Sequence, residues 1–107
     1  MAGTIALSPD IRWSAAGWLF DWTLRFIAQQ VGDPGVSANL QEVIDENLGW
    51  VDMTALPPEA RRTAVRKLKD ELVSAAEGQL PATLPERQQV LDHVRELSRL
   101  ARQLRDA

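Results

Sequence analysis

The spacing of apolar and polar positions changes along the chain, and each change marks an element. From Ile5 to Trp13 the apolar residues Ile5, Leu7, Ile11 and Trp13 stand at odd positions, the two-residue period of an extended segment, broken at Ser8-Pro9-Asp10. No second convincing strand follows, so this segment is expected to lie extended across helices or to pair with a second copy of itself. After it the period becomes helical. Phe20, Leu24, Ile27 and Val31 step by four, three and four, with Leu19, Trp22 and Phe26 beside them. This predicts a central helix over 14–31, capped by Ser14, buried on two sides and ended by the breakers Gly32-Asp33-Pro34-Gly35.

Ser37 is placed to cap a second helix over 37–48, with Gly49 as its stop; Leu40, Val43, Ile44 and Leu48 share one face, and Glu42, Asp45 and Glu46 the other. Pro57 and Pro58 open a third helix over 58–77, where a missing N–H loses nothing in the first turn, and Gly78 stops it. Its seam is Val65, Leu68, Leu72 and Ala75. Thr83 and Glu86 have capping-box spacing and open a fourth helix over 84–105, whose seam is Val90, Val94, Leu97, Ala101 and Leu104. The expected fold is therefore all-α: a small bundle of four helices with an extended N-terminal segment, one domain across 1–107. Its expected core is Leu19, Phe20, Leu24, Ile27, Val31, Leu40, Val43, Ile44, Leu68, Leu72, Val94, Leu97 and Ala101.

Composition narrows the chemistry. The chain of 107 residues has no cysteine, no tyrosine and a single histidine, which removes thiol catalysis, disulfides and cysteine zinc sites. His93 has Gln89 and Glu96 as helical neighbours, so no Glu-x-x-His or His-x-x-x-His pair is formed; it reads as a boundary residue with one solvated edge. The glycines are scattered and make no phosphate loop. No catalytic residue, metal or cofactor is expected, and the protein is expected not to be an enzyme. A basic leader segment is lacking at the start and no apolar run has membrane-spanning length, so a cytoplasmic location is expected.

Charge is uneven. Residues 1–56 carry seven acids against Arg12 and Arg25, whereas residues 57–107 carry eight acids against ten basic side chains. The strong basic excess of a nucleic-acid binder is missing, so nucleic acid is an unlikely partner. Glu42, Asp45 and Glu46, with Asp52 after the turn, form an acidic patch beside Trp50, which follows the helix-ending Gly49. These five residues make the candidate site: a docking surface for a basic protein, with Trp50 as the aromatic anchor and the acids giving orientation. The bland alternative is a solvated helix face with Trp50 capping the bundle end. In size and charge the chain is similar to small acidic helical inhibitors such as toxin-neutralising immunity proteins, an analogy that rests on no motif. The rival function is a helical regulatory protein that meets nucleic acid through the basic second half, where Arg61, Arg62, Arg66, Lys67 and Lys69 cluster and Arg95, Arg99 and Arg102 form a stripe. Of the tryptophans, Trp22 is expected in the core and Trp13 and Trp18 nearer the surface. A homodimer is expected through the unpaired N-terminal strand or the long last seam.

Overall fold

A computed structural model describes residues 2–104. Its elements run β1 (Ala2–Ala6), β2 (Arg12–Ala16), α1 (Gly17–Val31), α2 (Pro34–Asp45), β3 (Trp50–Asp52), a 3-10 turn (Met53–Ala55), α3 (Pro58–Asp70), α4 (Leu72–Gln79) and α5 (Arg87–Arg102). The expectation of an all-α bundle is overturned. The protein has two layers, a three-stranded mixed sheet of order β2-β1-β3 and a layer of helices against one of its faces.

The N-terminal segment is a β-hairpin. Ser8-Pro9-Asp10 is its turn rather than a simple break: Leu7 N–H donates to Ile11 O at 2.8 Å, and Ser8 Oγ accepts from Ile11 N at 3.1 Å. β1 and β2 pair antiparallel with Ile5 opposite Trp13, so both side chains enter the core together. On its other side β1 pairs in parallel with β3, Ile5 lying beside Val51. Both edges of the N-terminal strand are therefore filled within one chain, which removes the motive for pairing it with a second copy. Gly3 allows the approach of α1: a Cβ at that position would lie 2.2 Å from the Phe20 ring.

The helix boundaries shift for identifiable reasons. Ser14 does not cap α1; the chain stays extended through Ala16, and its last turn closes when Gly32 N–H bonds Ala28 O. Asp33, not Ser37, caps α2, its Oδ1 accepting from Gly35 and Val36 with Pro34 at the first helical position. The predicted helix over 58–77 divides at Glu71 (φ −127°) into α3 and α4, and Gly78 lies inside α4. The capping box at Thr83 is not made: Glu86 adopts φ 55°, caps nothing with its side chain, and α5 starts at Arg87. Arg105, the expected end of the last helix, lies outside the described residues.

Of the expected core, Val31, Val43 and Ile44 are only partly buried, and the others are buried. Ile5, Leu7, Trp13, Val51 and Met53 join them from the sheet side. Trp13 is a correction, since its ring is 2% exposed. Trp18, at 47%, does reach solvent. Packing orders the helices α2, α1, α3 and then α5 with α4, so that α2 flanks β3 at one end of the molecule and α5 flanks β2 at the other. Among the described residues no helix is long and apolar enough to cross a membrane.

Candidate functional site

α2 presents what its periodicity dictates. Val36 and Leu40 are buried under it, and Glu42, Asp45 and Glu46 are exposed, with Gln41 Nε2 donating to Asp45 Oδ1 at 2.8 Å. At the helix end Leu48 N–H reaches back to Val43 O at 3.0 Å. Asn47 and Gly49 then turn the chain through the left-handed region (φ 54° and 68°). Glycine suits the second position for two reasons. It tolerates that φ, and a Cβ there would lie 3.2 Å from Ala2 O, while its own carbonyl receives Thr4 N–H at 2.9 Å. This turn drives Leu48 outward, so the residue expected on the apolar face is 58% exposed.

β3 follows, and alternation puts Val51 into the core and Trp50 and Asp52 on the uncovered face of the sheet. Trp50 is 44% exposed, which answers the question of whether it follows the chain inward. The register supplies a neighbour that sequence reasoning missed. Ala6 of β1 lies between Arg12 of β2 and Asp52 of β3, and the Arg12 guanidinium reaches over the Trp50 ring, 5.3 Å from its centroid. No local signal links Arg12 to a tryptophan 38 positions away in the sequence; only strand pairing does. Trp50 and Asp52 also line a shallow cleft of about 240 Å³ with Asn39 and Val43 of α2. Glu42, Asp45 and Glu46 are outside its wall. The five candidate residues thus occupy two adjoining surfaces, a helix flank and a sheet edge.

Asp52 has a specific environment. Its Oδ1 accepts from Thr54 Oγ1 at 2.6 Å and from Thr54 N at 2.9 Å, capping the 3-10 turn. These bonds, with Arg12 and Arg61 nearby, hold its carboxyl below the ordinary aspartate range. A lowered folded-state pKa stabilises the fold above the unfolded value, and that contribution disappears as pH falls through the folded value. Asp52→Asn is therefore expected to be less stable than the parent near neutral pH, with the gap narrowing as pH falls through the folded-state value. Denaturant midpoints measured from neutral to acid pH check this; a gap unchanged at acid pH would refute it.

A larger cleft, of about 400 Å³, lies at the opposite edge of the sheet between Trp18, Leu84, Glu86, Gln89 and His93. His93 is an anchor there. Its ring stacks on Trp13 with centroids 4.9 Å apart, and Trp13 Nε1 donates to His93 O at 3.0 Å. His93 Nε2 donates to Ser14 O at 2.5 Å. The hairpin ladder makes Ile5 and Trp13 a hydrogen-bonded pair, so the Ser14 carbonyl points off the sheet, and His93 covers this bare edge. Among the described residues no group of three or more histidine, aspartate or glutamate side chains is arranged to hold a metal. Comparison with known protein families, with curated proteins and with solved structures finds no match to this chain.

Proposed function

We propose that the protein acts by binding another protein rather than by turnover, and that the junction of α2 with β3 is the docking surface. One observation carries this reading. Among the described residues the exposed large apolar side chains are Trp18, Leu48 and Trp50, and the last two are separated only by Gly49 and adjoin an exposed acidic helix. Residues 26–60 hold six acids and no lysine or arginine. An apolar anchor beside an acidic helix supports a specific contact in which the ring supplies area and the acids supply orientation and fast encounter. The partner is accordingly a basic protein. Arg12 presses on one face of the Trp50 ring, so the anchor is held before contact and loses little side-chain freedom on binding.

The test places a photo-crosslinking residue at position 50, with exposed Ser74 on α4 as the control. The expected outcome is a covalent adduct with a basic protein from position 50 and none from position 74. The adduct should be lost when Glu42→Lys and Glu46→Lys are added, with circular dichroism unchanged. An adduct insensitive to the charge reversal would overturn the acidic rim, and the absence of any adduct would overturn the docking surface.

A further inference from the structure

The acidic surface has a counterpart on the same molecule. At the far end of the helix layer Lys69 O accepts from Ser98 Oγ and from Arg102 Nη2, both at 3.1 Å, which ties the end of α3 to the end of α5. Arg66 and Lys69 stand near the end of α3 and Arg99 and Arg102 on α5, while Arg62, one turn before Arg66, lines a cleft with Thr54 and Leu56. Among the described residues none of these five cations has a carboxylate within 4.0 Å; the ion pairs formed there are Lys67–Glu71, Arg95–Glu77 and Arg95–Asp92. α2 packs against α1 and β3, whereas α5 packs against α3, α4 and β2, so the acidic flank of α2 and the arginines of α5 belong to different parts of the helix layer. The molecule measures 37 × 30 × 25 Å, and at physiological salt the Debye length is about 8 Å.

We propose that the chain associates head to tail with copies of itself, the α2–β3 end of one copy seated on the α3–α5 end of the next. This rests on the reading of the α2–β3 end as a docking surface and names the basic end of a second copy as its occupant. The contact brings Glu42 and Glu46 against arginines that pair with no carboxylate among the described residues, and gives Leu48 and Trp50 a protein surface to cover them. Because the two surfaces differ, the contact is heterologous: each copy keeps one free end, and assemblies grow with concentration instead of closing at a dimer. Exposed charge pairs are individually weak and screened by salt, so assembly depends strongly on ionic strength.

Sedimentation of the intact chain tests this. The average mass should rise above 11.9 kDa with concentration at about 0.01 M salt, and return to that value at about 1 M, where the Debye length falls from about 30 to about 3 Å. Glu42→Lys with Glu46→Lys gives a chain basic at both ends, and Arg66→Glu with Arg99→Glu gives one acidic at both. Each variant alone should remain monomeric, and an equal mixture of the two should associate again. A monomeric parent at low salt overturns the proposal, and so does a variant that assembles like the parent. Salt-sensitive binding of a DNA duplex by a monomeric parent, abolished by the arginine pair, would give the basic end to nucleic acid instead. A position-50 adduct with a basic protein from a monomeric chain would leave the docking surface standing and remove only self-association.

Discussion

Replacing Trp13 by Ala is expected to lower stability by about 3–5 kcal/mol, the usual range for truncating a buried aromatic. Total stabilities of small domains run about 5–15 kcal/mol, so much of the folded population is at stake. The residue fills the space between sheet and helices, fixes β2 to α5 through Nε1 and the His93 carbonyl, and stacks on the His93 ring. Its removal leaves a cavity at the joint of the two layers and takes the indole N–H bond from the His93 carbonyl. His93→Ala provides the internal comparison. The backbone carbonyl survives that change, so only the ring stack and the bond to Ser14 O are lost, at about 1 kcal/mol. Guanidinium unfolding followed by tryptophan fluorescence and by far-ultraviolet circular dichroism measures both. Equal losses for the two variants would show that the indole does not join the layers.

Gly3→Ala is expected to cost about 3 kcal/mol, near the upper end for overpacking a core. The added Cβ would stand 2.2–2.5 Å from three atoms of the Phe20 ring, and the ring is buried, so it has no open space to rotate into. Either β1 moves off α1 or Phe20 leaves its rotamer. A double-mutant cycle locates the cause. Phe20→Ala alone creates a cavity, but with Gly3→Ala it also removes the clash, so the double variant should be more stable than the sum of the two losses by about 1–3 kcal/mol. Strict additivity would mean that another contact makes glycine necessary at this position.

Both effects concern the sheet, which is where reading the sequence alone falls short. Its local rules found the extended segment at Ile5–Trp13 and interpreted Ser8-Pro9-Asp10 as an interruption. A turn between two strands and a break in one strand have the same composition, and only the pairing of Ile5 with Trp13 separates them. β3 is three residues long and shows less than two full alternations, so periodicity cannot find it. Its partner is parallel and more than 40 positions away, a pairing created by the path of α1 and α2. Trp13 then has a side of the sheet to be buried on, which a lone extended segment lacks.

Local chemistry did determine several features. Apolar stripes at steps of three and four placed Leu24, Ile27, Leu68, Val94 and Leu97 inside, because a helix repeats every 3.6 residues whatever it packs against. The acids of α2 face water for the same reason, and the exposure of Trp50 is compatible with the turn that Gly49 makes possible. Tertiary structure decided which of these exposed groups are neighbours. It brought Arg12 onto Trp50, linked Asp52 to Thr54, turned Leu48 outward and packed α2 on β3 and α5 on β2. Helical faces follow from spacings of a few residues along the chain, whereas adjacency across a sheet and between layers depends on the register and order in which distant segments pack.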